Sequence, residues 1–169
     1  MKIILENIVN LCYNKKKKTP GRNYMKISTK GRYALRLVID LAEHTGEGFI
    51  SLKDVADRQS ISKKYLEQIV PMLNKSGILH TNRGNRGGYI LSADSSELSV
   101  GDVLRATEGS LAPVSCLDYE PNTCDRADEC ATLYVWEGLF KAVTEYLDGI
   151  SIKDIIEHTS DKIGDDYII

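Results

Sequence analysis

The sequence predicts a mainly α fold with a small β wing (α+β), and three observations predict it. Apolar residues recur at helical spacing from about residue 29 to 75. Two short strand-like runs, Ile78–Thr81 and Tyr89–Leu91, flank a Gly/Arg-rich tip, NRGNRGG. A longer apolar helix follows at about 131–147. Two short helices leading into a ribbon, as in Ser51–Leu91, are the sequence form of a winged helix-turn-helix, a module that binds duplex DNA.

Composition sets the outer bounds. A chain of 169 residues suits one small domain with an extension, and 42% hydrophobic content can fill a core. No apolar run approaches the ~18–20 residues of a membrane span, and no secretory signal is evident, so a cytoplasmic protein without a membrane partner is expected. The net charge is −2. Its distribution is uneven: residues 1–25 carry +5, residues 26–91 carry +5 and residues 92–169 carry −12. A basic front half fits phosphate contact; two solvated surfaces of opposite sign is the plainer account. His44, His80 and His158 are scattered, and neither a nucleophile motif nor a phosphate-binding loop is present, so an enzyme is not expected.

Residues 1–24 read as a disordered extension. Their apolar part is broken by Glu6, Asn7 and Asn10, and Met25 is a candidate for the true start. The winged domain is expected over 25–109. Ser28 or Thr29 opens a helix to about His44, with Ala34, Leu35, Val38, Leu41 and Ala42 inward. Phe49-Ile50 can form a short strand, and Ser51 with Asp54 opens the next helix. After the Arg58-Gln59-Ser60 turn, Ser62 caps the helix whose first turns would enter a major groove. Ile61 and Leu66 occupy hydrophobic-staple positions, and Lys63, Lys64, Glu67 and Gln68 face outward. Pro71 should kink this helix, and Gly77 should end it. In the wing tip, Arg83 and Arg86 can reach phosphates or a narrow minor groove.

Ser99 with Asp102 is a second capping box, opening a helix that stops near Gly109. Residues 110–130 have loop chemistry and carry Cys116, Cys124 and Cys130. Residues 131–157 are expected to hold a dimerisation helix and a short helix capped by Ser151 and Asp154. On the long helix Leu133, Trp136, Phe140, Val143 and Leu147 step by 3, 4, 3, 4. That seam is widened by Leu139 and Tyr146, and it fits a homodimer; packing onto its own domain is the alternative. Residues 158–169 should be a loose tail.

In a reducing compartment, clustered cysteines more often bind metal than form disulfides. Zinc fits poorly, since a structural site needs four protein ligands and no histidine lies near the loop. Iron–sulfur ligation and ligand-free redox thiols remain.

Four segments, MKISTKGRYALRL, ISKKYLEQIV, RGNRGGYIL and SVGDVLRATEG, occur in an order that resembles the Rrf-two family of bacterial winged-helix repressors. The resemblance covers about residues 25–157. It implies a homodimer that binds a palindromic double-stranded DNA operator. Operator contact falls by likeness on Ser62, Lys64, Tyr65, Glu67, Gln68, Arg83 and Arg86, with Lys63 and Asn85 completing the set. Glu67 would face DNA favourably only by accepting from a cytosine amino group; pairing with Lys63 or Lys64 is its ordinary role. The IscR-like branch implies an iron–sulfur cluster, 2Fe-2S rather than 4Fe-4S, on Cys116, Cys124 and Cys130. The first gap in C-x7-C-x5-C is wider than in that branch, and Leu133 stands where it has a ligating histidine. Asp118, Asp125, Asp128, Glu129 or a small thiol are the candidates for the fourth ligand. The capped Ser151 helix and the chain end also resemble the CymR-like branch. That branch lacks these cysteines and implies a sulfur-metabolism enzyme as partner.

Overall fold

The computed structural model describes residues 27–84 and 87–165. The expectations for the extension at 1–24 and for Asn85 and Arg86 lie outside these residues. Six α-helices and one ribbon are described: α1 (Thr29–Glu43), α2 (Leu52–Gln59), α3 (Lys63–Lys75), β1 (Leu79–Asn82), β2 (Gly88–Leu91), α4 (Val100–Glu108), α5 (Leu133–Asp148) and α6 (Ile152–Asp165). This is the α+β architecture that the sequence predicts.

The centre is α1, against which α2, α3, β2, α4 and α6 all pack. It is accordingly buried on more than the one face its apolar spacing indicates, with Leu37 and Asp40 inside as well. Ser28 caps it, accepting from the Lys30 and Gly31 N–H groups at 3.1 and 3.3 Å. Both the N–H and the hydroxyl of Ser28 donate to Glu108, the last residue of α4, at 2.9 and 2.8 Å. An acid at the positive end of a helix is favourably placed.

Short caps define the next elements. The Ser51 hydroxyl accepts from the Asp54 N–H at 3.2 Å, but the Asp54 carboxylate bonds that same hydroxyl, so only half of the expected capping box forms. Ser62 accepts from the Tyr65 N–H at 3.2 Å. Ile61 and Leu66 are both buried, as a hydrophobic staple requires. Pro71 lies inside α3, and the helix nevertheless runs to Lys75. Gly77, at φ 73°, turns the chain into β1.

The ribbon is antiparallel, with Leu79 opposite Leu91 and Asn82 opposite Gly88. Ile50 adds a bridge to Tyr89 through bonds of 3.1 and 2.8 Å, which is the short strand expected at Phe49-Ile50. Gly88 is needed there: a Cβ would meet the Ile50 oxygen at 2.5 Å.

Ser99 and Asp102 form the full capping box of α4. Ser151 and Asp154 bond reciprocally at 2.8 and 3.1 Å to open α6. Two expectations change here. First, α6 is not short: it runs to Asp165, so much of the supposed loose tail at 158–169 is helical. Second, α6 belongs to the winged domain. Ile152 is 0% exposed within the main core, and Ile155 and Ile156 pack on that core. Hydrogen bonds from Val100 to Ile150 and from Ile152 to Leu98, both 2.9 Å, stitch its start to α4.

Candidate nucleic-acid interface and cysteine loop

The first turns of α3 and the wing face one another across an open cleft of about 580 Å³. Lys53, Lys63, Glu67, Asn74 and Arg83 line it. The helix supplies exposed Ser62, Lys63, Lys64, Glu67 and Gln68 because Leu66, Ile69, Val70 and Leu73 take the buried side. Arg83 is exposed on the wing. Thr81 donates to Asn74 Oδ1 at 3.0 Å and so ties β1 to the end of α3. The Glu67 carboxylate lies 3.6 Å from Lys63 Nζ, and both side chains are more than half exposed. That is the ordinary pairing open to Glu67, and it is weak enough for a groove to displace. Tyr65 differs from its neighbours. It is half-buried, and its ring meets Tyr33 edge-on at 5.3 Å.

Behind this face lies a polar network that residue patterns missed. Asp40, 1% exposed, accepts from Arg58 and Gln59. Its hydrogen bonds to Asp40 hold the Arg58 guanidinium above its ordinary pKa, against the opposing effect of burial. Arg36 bonds the side chain and the carbonyl of Gln59 and lies 5.8 Å from the Tyr33 ring. The available signal was an acid among the apolar residues of α1, with an Arg-Gln pair 18 residues on.

Residues 110–132 lead from α4 to α5 through two single-turn 3-10 segments, Ser115–Leu117 and Ala127–Glu129. Cys116 and Cys130 are half-buried and Cys124 is exposed, all as free thiols. The Thr132 hydroxyl, 3.6 Å from Cys130 Sγ, and then the Thr132 N–H hold that thiol below its ordinary pKa. The Asn122 Oδ1 accepts from the Cys124 N–H at 2.9 Å, while its buried Nδ2 has no partner among the described residues.

In kind, this donor set fits an iron–sulfur group: three thiols in one loop, one of them acidified, and a spare donor for a sulfur acceptor. It is not preassembled. Among the described residues no three His, Cys, Asp or Glu side chains stand close enough to hold a metal ion.

The seam expected to face a second copy divides. Phe140 and Leu147 pack on Val100, Leu104 and Leu111 of the same chain. They therefore turn towards the winged domain, because α5 needs one apolar contact to lie along α4. Leu133, Trp136 and Val143 are half-buried. No residue of α5 is fully buried, and Tyr134, Val135, Leu139 and Tyr146 are 43–73% exposed.

The chain matches the Rrf2 family, described as an iron-dependent transcriptional regulator, over residues 27–158. It is 39% identical over 135 residues to the transcriptional regulator CymR of Bacillus subtilis, covering 80% of this chain and 92% of that one. To the transcriptional regulator IscR of Serratia proteamaculans it is 36% identical over 134 residues, covering 79% and 80%. The solved structure of CymR (YrzC), the global cysteine regulator of B. subtilis, aligns with a TM-score of 0.64 at 37% identity, over 79% of this chain and 97% of that chain.

Proposed function

Because this chain belongs to the Rrf2 family of DNA-binding transcriptional regulators, and is not an enzyme, we propose that it is a dimeric repressor of palindromic operators that senses iron–sulfur or redox status through Cys116, Cys124 and Cys130. The observation that carries the DNA half is the cleft between the capped start of α3 and the wing, with Lys63, Glu67 and Arg83 on its walls. A major groove takes such a helix, and the wing cations take the adjoining phosphates.

The sensory half rests on position. The three thiols sit on the segment joining the DNA-binding body to α5. Cys116, Cys124 and Cys130 would hold the cluster, which when bound supplies one-electron chemistry and sensitivity to oxygen. The chain's own contribution is the acidified Cys130 thiol and the free amide donor of Asn122. The exposed Val135, Leu139 and Tyr146 of α5 support a second copy as partner.

A second reading is favoured by the ungathered donors and by Leu133. In it the protein acts as a CymR-like regulator of cysteine and sulfur metabolism, without a cluster and through an enzyme partner. One experiment separates the two. Protein purified without oxygen should be brown, and the colour should vanish in the Cys116→Ala/Cys124→Ala/Cys130→Ala variant. A colourless, iron-free preparation sinks the cluster reading and leaves the second.

A further inference from the structure

We propose that Asp40 is a positioning residue for DNA recognition, gripping the α2–α3 turn so that the start of α3 is presented at a fixed angle. The inference rests on the DNA-binding reading of α3. Asp40 is 1% exposed on the central helix. Its Oδ1 accepts from Arg58 Nη2 at 2.6 Å. Its Oδ2 accepts from Arg58 Nε at 3.1 Å and from Gln59 Nε2 at 3.0 Å. Arg58 and Gln59 end α2, and the next residue is Ser60, at φ 51° and ψ 42°. Among the described residues Ser60 is the only one other than glycine with positive φ. Such a conformation persists in a residue with a side chain only where its surroundings fix it.

Two further contacts extend the grip. Arg36, also from α1, donates Nε to Gln59 Oε1 at 3.0 Å and Nη2 to the Gln59 carbonyl, one of the carbonyls that the end of α2 leaves unpaired. The Arg36 guanidinium lies over Tyr33, whose ring meets Tyr65 in the first turn of α3. Thus α1 holds the turn from both sides, by the carboxylate at the end of α2 and by the aromatic pair at the start of α3.

Stability alone is a poor account of this arrangement. The Asp40 carboxylate is buried while the Arg58 side chain is 34% exposed, so the cost of desolvating the acid offsets much of the attraction, and apolar groups of like size often do as well. A bidentate Arg–carboxylate pair with a third donor supplies direction instead. Charge alone predicts the opposite effect on binding, since removing an acid from a phosphate-binding body should strengthen attachment to DNA.

The test uses a duplex that the full-length wild-type protein selects from a random-sequence pool, and an unselected duplex of equal length. Asp40→Asn keeps the side-chain volume and removes the charge. We expect about a tenfold or greater loss of affinity for the selected duplex, with unselected binding unchanged or stronger. The double variant Asp40→Leu/Arg58→Met should melt near wild type and still fail to recover selected binding. Wild-type affinity for the selected duplex in either variant overturns the proposal. So does an equal loss on both duplexes, or a loss of helical circular dichroism in both variants, which would make Asp40 a stability residue only. If the wild-type protein selects no duplex, the DNA-binding reading itself falls.

Discussion

Arg105 Nη2 reaches Asp148 Oδ1 at 2.7 Å, joining α4 of the winged body to the last residue of α5. The same nitrogen bonds Asp102 at 2.8 Å, so one guanidinium serves two carboxylates. All three side chains are 39–45% exposed, so each pair contributes roughly 1 kcal/mol or less. The two ends are not equivalent. Asp148 stands at the negative end of its helix, where an acid is unfavourable. Asp148→Asn should therefore shift the melting temperature little, whereas Arg105→Ala, which strands two acids, should lower it by a few degrees.

Gly88→Ala should be far more damaging than its size suggests. The new Cβ would lie 2.5, 2.7 and 2.8 Å from backbone atoms of Ile50 and Phe49, which cannot rotate away as a side chain can. The Ile50–Tyr89 bridge must open, detaching the base of the wing from the start of α2. A loss of about 2 kcal/mol or more is expected, by the mechanism of overpacking. Urea denaturation measures it, and a change below about 0.5 kcal/mol would contradict the tight approach.

Lys63 and Glu67 pair across 3.6 Å at the start of α3, the face proposed to meet DNA. Glu67→Ala frees the lysine for phosphate and removes the only acid there that could read a cytosine amino group. Binding should relax in base choice more than it weakens. Arg83→Ala should weaken binding to all sequences and reduce the salt slope by about one. Selection from random duplexes and salt titrations check the two separately. Unchanged affinity and unchanged base choice in both variants would place the groove contacts elsewhere.

Much of this fold was legible because local chemistry agrees with tertiary need. Ser28, Ser51, Ser62, Ser99 and Ser151 each open the helix that their spacing to a following acid or apolar residue indicates. Ile61 and Leu66 sit where a staple requires. The long reach of α6 was not legible, because its second half carries no repeating apolar face. Ile152, Ile155 and Ile156 anchor one end, and the rest follows as helix.

The site was legible in outline only. The outward residues of α3 follow from its buried face, but Tyr65 is drawn inward by Tyr33, a neighbour distant in sequence. The Asp40–Arg58 pair spans two helices, and neither periodicity nor spacing reports such a contact. In the cysteine loop only single 3-10 turns hold Cys116 and precede Cys130, so the order of the three thiols in the chain carries little geometry.

The exposed face of α5 makes a contrast of two substitutions informative. Val135, Leu139 and Tyr146 follow one another at helical spacing and are 43, 43 and 69% exposed. Leu139→Arg should convert a dimer to a monomer in sedimentation, with little cost to the fold of each subunit. Phe140→Ala removes a contact with the chain's own second core. It should lower unfolding stability by about 2 kcal/mol, below the range for a fully buried ring. A Leu139→Arg protein that sediments as the wild type does would assign the partner surface to another face.

Acid should weaken the protein through its helix caps. The Ser151 bonds, side chain first and then backbone, hold the Asp154 carboxyl below its ordinary 3.8. For Asp102 burial pushes upward, but the bonds from Ser99 and Arg105 outweigh it, and the result is again lowered. A carboxylate depressed in the folded state binds its proton more readily in the unfolded chain. Its stabilisation is therefore complete above the unfolded value and is lost as pH falls through the lower, folded one. Unfolding free energy should be insensitive to these groups above about pH 5 and fall below about pH 4. Asp102→Asn, which removes one of these charges and its ion pair with Arg105 while its amide oxygen can still accept from the Ser99 N–H, should be less stable at pH 7 and show a shallower acid slope. An acid slope equal to wild type in that variant would mean that the Ser99–Asp102 cap contributes nothing to the linkage.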